Sequence, residues 1–86
     1  MQIAKTTGDI TSWCKTYIAS ALGVSPESID AQQDFDELGL DSALITSMLI
    51  ELEEWLELDI PPSMFFSQRT LEAMGAALAD QAAKAA

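Results

Sequence analysis

The fold of this chain is decided by residues 41–60, which read DSALITSMLIELEEWLELDI. On a helix of about 100° per residue, one side of this stretch is entirely apolar and would face a protein core. That side consists of Leu44, Ile45, Met48, Leu49, Leu52, Trp55 and Leu56. Asp41 is suited to cap the first turn, and the prolines at 61–62 cannot continue a helix. The stretch therefore predicts a helix that is capped by Asp41 and runs from Ser42 to about Leu56.

Two further helices are predicted, one on each side of this one. The first has apolar residues at helical spacing, namely Ile10, Trp13, Cys14, Tyr17, Ile18, Ala21 and Leu22. Gly23 stands where a helix commonly ends in the left-handed conformation. Thr70 is placed to cap the last helix, and a short helical turn is expected at about Pro62–Phe66. The inward residues of the last helix are Leu71, Met74 and Leu78.

The chain is thus predicted to be an all-α bundle of three main helices and one short one. No segment alternates polar and apolar residues for long enough to form a strand. A long first loop, from Val24 to Leu40, joins the first two main helices. Since 86 residues give room for one domain, we expect a single domain over 1–86 with frayed ends at 1–7 and 81–86. Met1 and the short tail are typical of a free-standing protein, although a domain cut from a larger protein would look the same.

The composition excludes several functions. Fourteen acidic residues stand against four basic ones, for a net charge of −10, which disfavours nucleic acid and anionic lipid as partners and favours basic proteins. The chain has no His, so it lacks the commonest general base and metal ligand. Its single Cys14 cannot form an internal disulfide and indicates a reducing compartment. No apolar run is long enough to span a membrane, and no signal peptide is visible. These features predict a soluble, monomeric, cytoplasmic binding module that is not an enzyme.

The polar side of the second helix is a candidate contact surface. Glu51, Glu53, Glu54 and Glu57 crowd its last two turns, where each acidic group opposes the helix dipole at about 0.3–1 kcal/mol. Ile50 lies among these polar residues, where burial within the domain cannot explain it. A solvated face is the ordinary interpretation of such a charge run. The unfavourable placement of the charges favours instead a docking surface for a basic partner.

Ser42 is the candidate attachment site. At the first helical position its hydroxyl faces solvent, and a phosphate attached there would meet free backbone N–H groups and the positive end of the helix dipole. Catalysis by Ser42 is not expected, because the chain has no His and its four basic residues offer no obvious base. The alternative is that the Asp-Ser pair is ordinary capping chemistry at a helix start.

Residues 34–39 begin like a calcium-binding loop, with acids at the first and third positions and glycine at the sixth. However, Leu38 and Ile45 occupy the fifth and twelfth positions, where this loop type requires oxygen ligands. An EF-hand is therefore rejected, no metal site is predicted, and only weak divalent-ion binding by the loop stays open.

Four other side chains have simpler interpretations. Cys14, Trp13 and Trp55 fall on apolar stripes and are expected to pack in the core. Arg69 is a lone basic residue in an acidic region, and it either pairs locally or contacts a phosphate.

The sequence Leu38-Gly39-Leu40-Asp41-Ser42, with the acidic run to Glu57 and Ile60-Pro61 after it, resembles the acyl carrier proteins, a phosphopantetheine-binding family of four-helix carriers. The similarity extends from Ile10 to about Ala79. It implies that a separate transferase esterifies Ser42 with 4′-phosphopantetheine from coenzyme A, and that the thiol of this arm carries an acyl group as a thioester. Partner contacts are then expected at Asp41, Ala43, Thr46, Ser47, Ile50, Glu53, Glu54 and Glu57.

The resemblance also implies the kinds of partner. They are a phosphopantetheinyl transferase, an acyl-loading enzyme (an acyltransferase or an adenylating ligase), and a ketosynthase or other synthase or tailoring enzyme. Ala43 replaces the usual leucine, and Ser47 stands where carriers of fatty-acid synthesis have an acid. Residues 60–74 are closer to polyketide and nonribosomal-peptide carriers, except that Arg69 replaces a proline. These departures favour polyketide or other specialised-metabolite synthesis over fatty-acid synthesis, and Asp41 favours an acyl over a peptidyl carrier. The alternative function is an acidic helical adaptor that binds a basic protein through the second helix, with Ser42 serving only as a cap.

Overall fold

The computed structural model describes residues 5–85. In chain order its helices are α1 (Thr7–Leu22), α2 (Ser42–Leu56), the short α3 (Met64–Ser67) and α4 (Leu71–Ala85), with one 3₁₀ turn at Pro26–Ser28. Within the described residues no strand forms, and one isolated β-bridge joins Asp34 to Thr70. The all-α prediction of three main helices and a short one is confirmed. The short helix begins two residues later than expected.

The helix boundaries follow from local capping. The Asp9 N–H donates to Thr6 Oγ1 at 3.1 Å and the Thr6 N–H donates to Asp9 Oδ2 at 3.0 Å, a reciprocal capping box that starts α1. At its other end Gly23 adopts the left-handed conformation with φ 73°, as predicted. The Ala73 N–H donates to Thr70 Oγ1 at 3.1 Å, which confirms Thr70 as the cap of α4. The predicted fraying stays a prediction, and residues 1–4 and 86 lie outside the described residues.

The core is built from the apolar sides of the helices and from three residues of the first loop. The fully or almost fully buried side chains include Ile10, Cys14, Ile18, Ile29, Phe35, Leu40, Met48, Leu52, Leu71, Met74 and Leu78. Cys14 is fully buried, which confirms its prediction as a core residue, and this burial raises the pKa of its thiol to about 12. Trp13 and Trp55 pack against the core but stay half-buried at its edge.

Helices α1 and α4 meet closely at Gly75. A Cβ atom at this position would lie 2.7 Å from Thr11 Oγ1 and 3.3 Å from the Thr7 carbonyl oxygen. The first distance is shorter than atoms in proteins tolerate, so the glycine sets how near the two helices approach.

Replacing Gly75 by Ala is expected to destabilise the protein by about 1–2 kcal/mol, because overpacking costs about 1–3 kcal/mol and outweighs the gain of up to about 1 kcal/mol in helix propensity. Urea unfolding followed by circular dichroism measures the change. The matched control is Ala76→Gly at the exposed neighbouring position, which should cost about 1 kcal/mol through propensity alone. If Gly75→Ala were instead more stable than the wild type, the contact with Thr11 would relax at little cost and Gly75 would not set the distance between the helices.

The first loop is held to the segment before α4 by Arg69. Its Nη2 lies 2.8 Å from Asp34 Oδ1 and 3.0 Å from Asp36 Oδ2, and its Nε donates to Asp34 Oδ2 at 3.2 Å. The Arg69 carbonyl also accepts a hydrogen bond from the Phe35 N–H at 3.0 Å. Of the two roles open to Arg69, the structure shows local pairing. The two acids that made residues 34–39 resemble a calcium loop are thus engaged by a guanidinium.

This ion-pair cluster should make the folded protein less stable at acid pH. The guanidinium of Arg69 donates to Asp34 and lowers the pKa of that carboxyl below its ordinary value of 3.8. A lowered pKa stabilises the folded state above pH 3.8, and this contribution is lost as the pH falls through the lowered value. Urea midpoints are therefore expected to fall below about pH 4, and Asp34→Asn is expected to reduce that fall. The exposed Asp59→Asn serves as control; equal acid dependence of the Asp34→Asn variant and the wild type would contradict the expectation.

Candidate attachment site and contact surface

Ser42 is the first residue of α2, and its side chain is exposed. Asp41 precedes it with extended backbone angles, and Asp41 Oδ1 accepts a hydrogen bond from the Leu44 N–H at 2.8 Å. Among the hydrogen bonds of residues 5–85 none involves the Ser42 hydroxyl. The capping role therefore belongs to Asp41, and the Ser42 oxygen is available for another purpose.

The loop before Ser42 is ordered by a compact turn. The N–H groups of Glu37 and Leu38 both donate to the Asp34 carbonyl, at 2.9 and 3.2 Å. Gly39 then adopts φ 77°, a left-handed conformation that favours glycine. This turn sends Leu40 into the core, where it is 8% exposed. Because the same Asp34 is bound by Arg69, the ion-pair cluster fixes the chain eight residues before Ser42.

The predicted contact residues share one exposed face that begins at the cap of α2. The exposed members are Asp41, Ala43, Thr46, Ser47, Ile50, Glu54 and Glu57, while Glu53 is half-buried. Ile50 is 54% exposed, so it presents an apolar side chain on this face. The charged members of the face are all acidic. Two of the four basic residues do not neutralise it, because Arg69 binds the first loop and Lys84 pairs with Asp80 at 2.9 Å. The face is therefore strongly acidic with an apolar centre.

Two of these glutamates also have structural roles that the sequence did not indicate. Glu53 Oε2 accepts a hydrogen bond from the Ile60 N–H at 2.9 Å, which orders the segment after α2. Glu57 adopts a left-handed conformation with φ 56° and ends the helix, its N–H donating to the Glu53 carbonyl. A glycine at this position would have predicted the end of the helix, whereas a glutamate does not.

Arg69 is the residue of functional interest that sequence reasoning left undecided. The signal for local pairing was the presence of two acids, Asp34 and Asp36, in the first loop and of one cation, Arg69, just before the last helix. That signal needs the loop and the helix start to be adjacent, which the hydrogen bonds from Phe35 and Glu72 across this junction now show.

Comparison with known proteins places this geometry in a family. The family model described as "Phosphopantetheine attachment site" matches residues 12–78. The conidial yellow pigment biosynthesis polyketide synthase of Emericella nidulans is 34% identical over 64 residues, which are 74% of this chain and 3% of the synthase. The chain thus spans only a small part of that relative.

Two solved structures share the fold. An acyl carrier protein from Anabaena with a variant phosphopantetheinylation-site sequence superposes with a TM-score of 0.83 at 31% identity, covering 94% of this chain and 91% of that chain. A free-standing peptidyl carrier protein from an Acinetobacter baumannii secondary metabolic pathway gives a TM-score of 0.81 at 28% identity, covering 88% and 95%. These likenesses confirm the predicted carrier fold and do not favour the adaptor alternative. The chain belongs to the phosphopantetheine-binding carrier protein family, whose members hold acyl groups on a covalently attached 4′-phosphopantetheine and do not themselves catalyse reactions.

Proposed function

We propose that Ser42 is the residue that carries the 4′-phosphopantetheine arm. The observation that supports this most directly is an exposed hydroxyl at the first position of a 15-residue helix, with the cap supplied by Asp41. The phosphodiester would lie at the positive end of the α2 dipole. The backbone N–H groups of Ser42 and Ala43 belong to the first turn and have no intrahelical acceptor. The residues present therefore fit the group, which supplies a flexible arm and a terminal thiol.

The test is the intact mass of the purified protein after incubation with coenzyme A and a broad-specificity phosphopantetheinyl transferase. We expect a gain of one phosphopantetheinyl group. A thiol count with Ellman's reagent at pH 8 gives an independent measurement, because the buried Cys14, with its pKa raised to about 12, should not react in the native protein. One reactive thiol should therefore appear on modification. A folded protein that gains no mass would contradict the proposal.

The carried acyl group is proposed to be an intermediate of polyketide or other specialised-metabolite synthesis. The support is the likeness of residues in this chain to carrier segments of polyketide synthases. Tethering keeps the substrate at a high effective concentration near each docked enzyme, so the carrier needs no active site of its own. The proposed partners are a phosphopantetheinyl transferase, an acyltransferase or adenylating ligase that loads the arm, and a ketosynthase or other synthase or tailoring enzyme. Within the described residues no helix is both long and apolar enough to cross a bilayer. We further propose that the carrier acts as a monomer in the cytoplasm, where a reducing environment would suit the unpaired Cys14.

These enzymes are proposed to dock on the exposed face of α2. Ile50 provides an apolar contact, and Glu54 and Glu57 provide charges that attract a basic surface. Charge attraction of this kind raises the rate of association and is screened by salt. Acyl transfer to and from the carrier should therefore become less efficient as the salt concentration rises, through the Michaelis constant more than through the turnover number.

A further inference from the structure

A column of aromatic rings lies across the outer edge of the contact between α1 and α2. The ring of Trp13 stacks on Tyr17, with centroids 5.5 Å apart and planes 16° apart, and on Trp55, with centroids 5.4 Å apart and planes 13° apart. All three side chains are half-buried. The rings border a surface groove of about 660 Å³, so part of the column is open to solvent.

The groove already holds one cation and is bordered by acids. Lys5 Nζ lies 4.8 Å from the ring centroid of Trp55, a cation–π distance. The carboxylates of Asp9 and Glu51 line the same groove. The nearby Glu51 carboxylate, which favours the protonated phenol, raises the pKa of Tyr17. The lining therefore combines aromatic faces with two negative charges and one positive charge, on a chain whose net charge is −10.

This combination matches an arginine side chain better than any other. A guanidinium is planar, so it can stack on an indole while its N–H groups donate to carboxylates at the edge. Tryptophan, tyrosine and arginine are also the residues that contribute most to protein interfaces. An aliphatic ligand would make no use of the negative charge of Asp9 and Glu51, and an anionic one would be repelled by it.

We propose that this groove is a second contact surface, which binds an arginine side chain presented by a basic partner protein, and that Lys5 covers the Trp55 ring in the free chain. Trp55 follows Ser42 by 13 residues, or about 20 Å along α2. The surface therefore lies well away from the attachment site, and arginine binding there does not depend on modification of Ser42.

The test uses the unmodified protein and two peptides, acetyl-(Gly-Arg)3-amide and its lysine counterpart. The indole N–H signals of Trp13 and Trp55 are followed by nuclear magnetic resonance during titration. We expect the arginine peptide to shift both signals and to bind at least about 3-fold more tightly than the lysine peptide. Trp55→Leu should weaken binding about 10-fold, whereas Phe66→Leu, at an aromatic residue that is 80% exposed on α3, should change it less than 2-fold.

The decisive comparison is between two lysine variants that remove the same charge. Lys5→Met removes the cation that lies over the Trp55 ring, whereas Lys15→Met removes a positive charge from α1 outside the groove lining. We expect Lys5→Met to raise the affinity for the arginine peptide about 3-fold more than Lys15→Met does. Neither substitution alters the buried core, so this result holds even if Trp55→Leu unfolds the protein. Equal effects of the two variants, or an arginine peptide that shifts neither indole signal, would overturn the proposal.

Discussion

Ser42→Ala is expected to abolish phosphopantetheine loading completely while the protein keeps its fold. The hydroxyl oxygen is the only group at this position that can form the phosphodiester, so no partial activity should remain. The fold should survive because the Leu44 N–H is capped by Asp41 and not by Ser42. Alanine is also a good helix former at an exposed position. The free energy of unfolding should change by no more than about 0.5 kcal/mol, as expected for a surface substitution away from structural features.

Asp41→Ala is the matched control at the neighbouring position. It removes the cap and should cost about 1 kcal/mol of stability. Because Asp41 is also a predicted partner contact, the variant should load more slowly, but the Ser42 hydroxyl is still in place and one phosphopantetheinyl group should be gained at the end point. Intact mass and urea unfolding on the same samples separate the two effects. If Ser42→Ala still gained the mass of the arm, another serine would be the attachment site. If it unfolded, the assignment of the cap to Asp41 would be wrong.

The helices were predictable because each is marked by local patterns. The apolar stripe of α2, the glycine after α1 and the Thr70 cap depend on residues close in sequence. The boundaries that they mark, which are both ends of α2, the end of α1 and the start of α4, agree with the structure. The candidate site was predictable for the same reason, since Asp41 and Ser42 are adjacent and both belong to the first turn of one helix.

The features that could not be predicted depend on residues far apart in the chain. Arg69 reaches Asp34 across 35 positions, and nothing local distinguishes this pairing from contact with a phosphate. Trp13 and Trp55 both lie on apolar stripes, which predicts packing. Whether such large rings are enclosed or left at the edge depends on how α1 and α2 cross. Their half-burial, and the groove beside them, therefore became visible only in three dimensions.

Ile50→Asp is expected to lower the rate of acyl transfer by partner enzymes about 10-fold or more, with the fold intact. Ile50 is 54% exposed, so the substitution leaves no cavity, and aspartate at an exposed helical position costs only a few tenths of a kcal/mol in propensity. In a docked complex, however, an apolar contact would be replaced by a carboxylate that must lose its water. If Ile50 is a hot-spot residue of the docking face, its loss should cost about 2 kcal/mol or more, which is about 30-fold in affinity.

The measurement compares the kinetics of transfer from acyl-loaded wild type and variant, with circular dichroism as the test of folding. Val24→Asp is the control, because it makes a similar chemical change at a side chain that is 47% exposed and lies outside α2. We expect Val24→Asp to transfer at close to the wild-type rate and Ile50→Asp to show the loss in kcat/KM. The wild-type rate should fall with added salt, because salt screens the attraction of Glu54 and Glu57 for a basic partner. If both variants were equally impaired, the effect would come from added negative charge in general, and the docking face would have to be placed elsewhere than on α2.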